Sequence, residues 1–355
     1  LVAYLSINVG VINLIPLPAL DGGRLLFILI EMIARKPVPQ KWESTIHTVG
    51  FVILIIFMIL VAAAMAVTML SCTNENGGVS GVKHVVMIGL DGLAGNTVEA
   101  ADMPTVKMMM AEGAWTLQAR SILPSSSACN WASMYMGVGP EMHGYNTWGS
   151  RTPDFPSIEL GKNGIFPTIL TVLREHNPEM NICAMYEWDV QGDLIDNNAA
   201  IFYKHIPMGD SRSADITSAF TSYLKEHKPE FSMCIFDSPD VEGHGHGWGS
   251  EPYMNRLPEL DAHIAKIVEA TKEAGMYDET IFMIVSDHGG IGTGHGSTSM
   301  SEMEAPLVFF GPGVKKGHQI EASVVRYDTA PTIAYIFGAT TPDVWRGKVI
   351  NEIFE

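Results

Sequence analysis

Three short stretches of this chain combine carboxylates with imidazoles. One is Ser286-Asp287-His288, followed by a glycine-rich turn and a further imidazole at His295. Another is Asp240-Val-Glu-Gly-His244, an acid and an imidazole four residues apart. The third is Asp91, within Gly89-Leu90-Asp91-Gly92. Adjacent Asp and His with another His close by is a ligand set that transition metals accept. One such cluster reads equally well as a polar loop; three of them point to a polynuclear metal site. Between Asp91 and Asp240 the chain carries Ser125, Ser126, Ser127 and Asn130 at the start of a helical pattern. Serines there are N-cap signals. A hydroxyl at a helix N-terminus sits where backbone N–H groups and the helix dipole favour a phosphate. Ser127 and Asn130 are three apart and share one face of the first turn.

The elements that must position these groups follow from the flanking sequence. Each cluster comes directly after a short apolar run: Lys83–Gly89, Phe231–Phe236 and Ile281–Val285. Runs of this kind read as strands buried on both faces. Further strands are expected at Trp115–Arg120, Asn181–Tyr186 and Ala305–Gly311. Helices are expected at Pro104–Glu112, Pro167–His176, Ser211–His227, Leu257–Gly275 and Tyr327–Phe337. Strands alternating with helices imply an α/β fold, a mostly parallel sheet with helices on both faces. The three clusters then share the carboxyl edge of the sheet, where open α/β sheets bind ligands.

The N-terminal part has a different character. The chain of 355 residues carries a net charge of −17, yet residues 1–70 sum to +1, which leaves −18 on the remainder. Leu1–Pro18, Leu25–Ile33 and Val49–Leu70 are largely apolar, and the last run is long enough to span a bilayer as a helix. Arg35, Lys36 and Lys41 before it place that loop on the cytoplasmic side and deliver the rest of the chain outside. An acidic domain makes a poor nucleic-acid partner, so no nucleic-acid surface is expected. The four cysteines show no CxxC spacing, and the sequence does not select any pair for a disulfide.

Two resemblances extend this reading. Asn13-Leu-Ile-Pro-Leu-Pro-Ala-Leu-Asp-Gly-Gly-Arg24 and the span to Val61 resemble the C-terminal end of site-2-type membrane metalloproteases, whose Leu-Asp-Gly aspartate, here Asp21, helps to bind zinc. That family takes its other ligands from His-Glu-x-x-His, which occurs nowhere in this chain, so protease activity is not expected. Ala62-Ala-Ala-Met-Ala-Val-Thr-Met-Leu-Ser-Cys72 looks like a bacterial lipoprotein signal, and Thr73–Gly78 like its flexible tether. The expected organisation is a membrane segment at 1–61, a lipoprotein-like span and tether at 62–82, and a catalytic domain at 83–355. The joint near Val61 is a gene fusion or a misjoined sequence, which independent DNA reads across Val61–Ala62 distinguish.

From Lys83 to Glu355 the chain resembles the alkaline phosphatase superfamily, within it the type I phosphodiesterase/nucleotide pyrophosphatase branch. The motifs are Gly-Leu-Asp-Gly (89–92), Ser-Ala-Cys-Asn-Trp (127–131), Gly-Val-Gly-Pro-Glu-Met-His-Gly (137–144), Asp-x-x-Gly-His (240–244), Ser-Asp-His-Gly (286–289) and Gly-His-Gly (294–296). The resemblance implies two divalent metals, most simply zinc. One is held by Asp91, Asp287, His288 and the Ser127 oxygen, the other by Asp240, His244 and His295. It also implies Ser127 as nucleophile through a phosphoseryl intermediate, and Asn130 on a phosphoryl oxygen. The branch commonly has Thr followed by Phe-Pro-Asn where this chain has Ser127-Ala-Cys-Asn. A sulfatase needs x-Pro-x-Arg after its Cys or Ser, and both residues are missing here. A neutral Asn130 contact favours a monoanionic diester or pyrophosphate over a dianionic monoester. The expected partners are a small-molecule phosphate ester, docked by its leaving group near Trp131 or Trp248, and the bacterial membrane. The catalytic domain is expected on the extracytoplasmic side.

Overall fold

In the computed structural model, residues 21–36, 39–72 and 78–355 are described. The chain divides into two units, Leu1–Glu75 and Asn76–Glu355.

The described part of the first unit is helical: α1 runs Asp21–Ala34 and α2 runs Gln40–Cys72. Of the segment resembling a protease, residues 13–20 lie outside the described residues, as does the side chain of Asp21; the tether residues 73–77 lie outside as well. Both helices leave large apolar side chains in solvent, Ile33 and Phe57 among them. Among the described residues no helix is long and apolar enough to cross a membrane. This differs from the expectation for Val49–Leu70. Side chains of α2 are described only to Leu60, and the twelve residues Val49–Leu60 rise about 18 Å as a helix. That is well short of a hydrocarbon core about 30 Å thick.

The second unit is built on one sheet. Its strands are β1 (His84–Leu90), β2 (Ala114–Arg120), β3 (Ile182–Tyr186), β4 (Phe202–His205), β5 (Phe231–Phe236), β6 (Thr280–Val285), β7 (Glu304–Phe310) and β8 (His318–Gln319). Their order across the sheet is β4-β3-β5-β1-β6-β7-β2-β8. Neighbours pair in parallel except at β7, which runs against both β6 and β2. The helices that cover the sheet are α3 (Pro104–Ala111), α4 (Ser127–Met136), α5 (Ile169–His176), α6 (Ala214–His227), α7 (Asp240–His246), α8 (Glu251–Glu273) and α9 (Thr329–Ile336).

The apolar runs of β1, β5 and β6 are buried along their whole length. Alternate residues serve opposite faces. Val85, Met87, Met233, Ile235 and Met283 join the core under α4, α5 and α9. Val86, Ile88, Cys234, Phe236 and Ile284 join the core under α3, α6 and α8. Two differences from the sequence reading bear on the site. Val79 and Val82 pack on the core, and the Val79 N–H donates to the Ile336 carbonyl, so the tether gives way to folded structure before Lys83. Asp240–His246, read from the sequence only as an acid–imidazole cluster after a strand, is a helix. Cys129, Cys183 and Cys234 are buried free thiols.

The antiparallel seam between β2 and β7 holds a buried cation. Register shifts between Thr116 and Ala119. Arg326 is buried there and donates to the carbonyls of Ala119 and Ala305, each at 2.7 Å, and of Pro306 at 3.3 Å. Ala119 and Ala305 are paired residues in the ladder, so the guanidinium ties the two strands where their own hydrogen bonding is irregular. Burial pushes its pKa down to about 9. Arg326→Met should therefore cost about 2–4 kcal/mol in urea denaturation, because it orphans buried carbonyls. A loss under about 1 kcal/mol would mean that the strands hold their own register.

Candidate metal centre and nucleophile

The tips of β1 and β5 are bonded backbone to backbone beyond the strands, and the tip of β6 joins them through the Asp287 side chain. The Asp91 N–H donates to the Phe236 carbonyl, and the Asp240 N–H donates to the Asp91 carbonyl, both at 3.0 Å. Gly92 makes the turn at φ +69°, and a Cβ there would lie 2.8 Å from Asp240. Its N–H donates to Asp287 Oδ1 at 3.1 Å. Trp248 Nε1 and the Tyr253 hydroxyl both donate to its carbonyl, at 2.8 and 2.9 Å. One short turn thus fixes carboxylates from three strands.

Two groups that could each hold a metal ion result. Asp91, Asp287 and His288 form one, fully buried; Asp240, His244 and His295 form the other, nearer the surface. The groups adjoin, with the His288 and His295 rings stacked at 3.7 Å. Ser127 Oγ lies 3.1 Å from His288 Nε2 and 3.5 Å from Asp91 Oδ1. The residues expected to be ligands and the serine expected to be the nucleophile are therefore gathered in one place.

The hydrogen bonds on the far side of each imidazole decide what the near side offers. Nδ1 of His244, His288 and His295 bonds the carbonyl of Thr293, Gly289 and Ser125 respectively, at 2.8–2.9 Å. A carbonyl only accepts, so Nδ1 carries the proton and Nε2 presents a lone pair. The His244 and His295 lone pairs face each other at 3.1 Å. They also face Asp240 at 3.4 and 3.7 Å, while His288 faces Asp287 at 3.3 Å and Asp91 at 3.6 Å. Asp240 Oδ1 and Asp287 Oδ2 are buried without a hydrogen-bond partner. Burial pushes His288 down to about 3 and His295 down to about 4, so both are neutral at pH 7. Burial and mutual repulsion push Asp91 and Asp240 well above the usual carboxylate range, and burial takes Asp287 up to about 7. Acceptors crowded in this way fit divalent cations. Their spacing of 3.1–3.7 Å is close to the edge of a zinc tetrahedron, about 3.4 Å for bonds near 2.05 Å.

Three sequence expectations are corrected here. Asn130 does not face the site. Its Oδ1 accepts from the Ile122 N–H at 2.6 Å, and its Nδ2 reaches the carbonyls of Ile122, Pro124 and Ser126. All its bonding capacity is spent on the loop that leads into Ser127. Ser126 occupies the N-cap of α4 without a side-chain cap bond. The Ala128 N–H instead donates to the Trp148 carbonyl at 3.1 Å. Trp131 is fully buried and donates from Nε1 to Asp91 Oδ2 at 2.8 Å, so it orients a ligand and cannot receive substrate. Trp248 is wedged under the centre, edge-on to His244 and His295.

The residue that sequence reasoning left unassigned is Trp148. It is 70% exposed and lines a cavity of about 680 Å³ with Pro124, Ser126, Asn146, Thr147, His244 and His295. Nothing in its Gly/Ser-rich surroundings distinguishes it by sequence. His143, also unassigned, is buried and bonded to Ser133 and to the Tyr145 N–H, a structural arrangement.

A mixed α/β sheet with acid and imidazole clusters on its carboxyl edge, and a serine among them, is the arrangement of an alkaline-phosphatase-like hydrolase, and the family match agrees. Residues 85–304 match the type I phosphodiesterase/nucleotide pyrophosphatase family, and the chain belongs to that family. It is similar in fold to murine ectonucleotide pyrophosphatase/phosphodiesterase 5, solved as an inactive form in complex with AMP. The TM-score is 0.63 at 12% identity, over 77% of this chain and 100% of the other. It is equally similar to a 2-O glycosaminoglycan sulfatase, with TM-score 0.63 at 15% identity over 77% and 74% of the two chains. Residues 1–57 match peptidase family M50. There the chain is 54% identical over 59 residues to zinc metalloprotease RasP of Geobacillus kaustophilus, and 56% identical over 59 residues to that of Oceanobacillus iheyensis. The match spans 17% of this chain and only 14% of either relative's length.

The carboxylates set a pH dependence. Asp287 and Asp237 are both raised to about 7, each chiefly by burial. In the metal-free fold such groups hold protons that the unfolded chain releases near its ordinary carboxylate pKa. Stability is then lost as pH rises through the folded value. The lowered histidines act oppositely, but that effect fades as the unfolded histidines lose their protons and is nearly gone by about pH 7.5. The raised carboxylates dominate from about neutral pH upward. The Tm of chelator-treated protein should fall between about pH 7 and 8, and an added divalent metal ion should abolish the fall. A metal-free Tm that rises over this interval would contradict the crowded-acceptor account.

Proposed function

We propose that this chain hydrolyses phosphodiester or pyrophosphate bonds through a phosphoseryl intermediate on Ser127, with two zinc ions. The observation that carries this reading is the Ser127 hydroxyl, set 3.1 Å from the His288 lone pair within a group of unpartnered acceptors. Asp91, Asp287 and His288 would hold one ion, together with the Ser127 oxygen, and Asp240, His244 and His295 the other. When bound, the ions supply a lowered Ser127 pKa and neutralisation of charge on the phosphoryl oxygens. The chain's own groups do the rest. Asn130 and the Trp148 carbonyl fix the backbone on either side of Ser127. Ser127 Oγ then attacks phosphorus in line and loses its proton to solvent. The P–O bond to the leaving group breaks, and that group leaves with the electron pair. Water attacks the phosphoserine from the opposite side and returns the serine.

The preference for diesters now rests on charge rather than on Asn130. Arg120 is engaged with Glu304, Arg151 with Asp189 and Asp193, and Arg326 with backbone carbonyls. Among the described residues these arginines leave no guanidinium to meet the second charge of a monoester. The family match supports the same preference.

The domain reading proposed is a catalytic part at 83–355 attached through 62–82 to a membrane segment at 1–61. The M50 match and the exposed apolar side chains of α1 and α2 support it. Protease added to intact spheroplasts should release the catalytic part, and protection until lysis would reverse the orientation.

One panel tests the chemistry: an aryl phosphate diester, an aryl phosphate monoester and an aryl sulfate, compared by kcat/KM. The diester should lead. A monoester preference above about tenfold, roughly 1.4 kcal/mol in the barrier, overturns the diester reading, and a sulfate preference overturns phosphoryl chemistry. Ser127→Ala should fold normally and keep under about 1% of diester turnover. A variant that keeps a tenth of it would show another nucleophile.

A further inference from the structure

The inner group (Asp91, Asp287, His288) and the outer group (Asp240, His244, His295) differ in what holds their side chains. In the inner group, His288 donates from Nδ1 to the carbonyl of its own neighbour Gly289. Asp91 accepts from the buried Trp131 indole, and Asp287 accepts from the Gly92 N–H. In the outer group both imidazoles depend on one loop, residues 291–299. His295 is part of it, and His244 donates from Nδ1 to its Thr293 carbonyl at 2.9 Å. Neither a helix nor a ladder strand runs through this loop, and Ile291, Gly292, Thr293, Ser297 and Thr298 are exposed. Packing alone gives such a segment little stability, so its few hydrogen bonds decide where the two imidazoles stand.

The loop is anchored at three places. At its start the Trp248 N–H donates to the Gly292 carbonyl at 2.8 Å. At its end the buried Glu302 carboxylate accepts from the N–H groups of Ser297 and Ser299, at 2.9 and 3.2 Å, and from the Ser299 hydroxyl at 2.5 Å. The middle anchor, at His295 itself, is Ser125, which is fully buried. Its carbonyl accepts from His295 Nδ1 at 2.9 Å. Its hydroxyl accepts from the Gly296 N–H at 3.1 Å and donates to the Ser297 carbonyl at 2.7 Å. One residue thus bonds three consecutive residues of the loop. Ser125 is itself firmly seated, because Asn130 Nδ2 donates to the carbonyls of Pro124 and Ser126 on either side of it, at 3.1 and 3.0 Å.

We propose that Ser125 is a positioning residue: its hydroxyl latches the His295 loop onto the chain that leads into Ser127, and so sets how tightly the outer group holds its ion while leaving the inner group's affinity alone. This rests on the two-ion reading above. The partners that orient metal-binding imidazoles typically change metal affinity about 10–100-fold when they are lost. The Ser125 hydroxyl acts one step behind such a partner, on the backbone that carries His295. Without it the loop is released at its middle, and His295 and the Thr293 carbonyl move together. Two of the three outer side chains then lose their fixed positions. The hydrogen bonds that orient the inner group involve neither Ser125 nor this loop.

The test uses full-length protein, stripped with a chelator and titrated with zinc in competition with a chromophoric zinc indicator. Wild type should bind about two equivalents. Ser125→Ala should bind one with the wild-type affinity and the other about 10–100-fold more weakly. Glu302→Gln removes one acceptor at the loop's far anchor and should weaken the same equivalent by a smaller factor. It decides the matter by itself if Ser125→Ala does not fold. Mass action fills a weakened site, so excess zinc should return the diester kcat of Ser125→Ala to within about threefold of wild type. Equal weakening of both equivalents, or a lowered Tm with unchanged zinc binding, would make Ser125 merely structural and overturn the proposal. A kcat that stays low with both equivalents bound would place its action on Ser127 and overturn it as well. A wild type that binds fewer than about two equivalents sinks the two-ion reading, and this inference with it. A wild type that binds two, with neither affinity changed by either substitution, sinks this inference alone.

Discussion

Six acceptors packed around two points, with no cation among the described residues between them, are the constraint on which the second unit depends. Asp91, Asp240 and Asp287 repel one another, and three imidazoles turn lone pairs toward them. In a low-dielectric interior such a cluster is costly unless compensated. Much of the surrounding structure holds it closed. The Gly92 turn, the Trp131 and Trp248 indoles and the Tyr253 hydroxyl bond to the ligands or to the backbone that carries them. Their side chains come from both faces of the sheet, so the two cores are coupled through the centre. A defect in either should reach the ligands by way of these few bonds.

The gathering of these acids and imidazoles was legible in the sequence because they follow buried strands, and a parallel sheet brings such strand ends to one edge. β1, β5 and β6 are apolar from end to end, and the acids interrupt them abruptly. What the sequence hid was orientation. Asn130 sits one turn from Ser127, as a phosphate contact would, yet its amide turns back onto the preceding loop. Trp131 and Trp148 are alike as residues, but one is sealed beneath Asp91 and the other stands in solvent. Local composition does not encode which way a side chain leaves a helix of ten buried residues or an irregular loop. The direction of β7 was hidden for a similar reason, since an apolar run has no polarity of its own.

Short elements were lost for a different reason. β4 and β8 span four and two residues, and β4 is largely exposed, so neither shows a hydrophobic period. Asp240–His246 contains Gly243 and Gly245, which argue for a loop. It is nevertheless helical, and that places Asp240 and His244 one turn apart on one face. Small size at Gly243 also admits Trp248, whose ring a Cβ there would meet at 2.7 Å. Packing from outside the segment therefore decided its conformation.

The bond from Ala128 to the Trp148 carbonyl ties the cavity wall to the helix that begins at Ser127. Loops around a reactive centre are ordinarily where a lineage explores new substrates, because they vary without disturbing the scaffold. This loop does not have that freedom, since a shift of its backbone moves the start of the Ser127 helix as well. Trp188, stacked against Trp148, is packed on the core. Divergence in this lineage should therefore accumulate by exchanging the side chain at position 148, with insertions and deletions between 144 and 154 selected against.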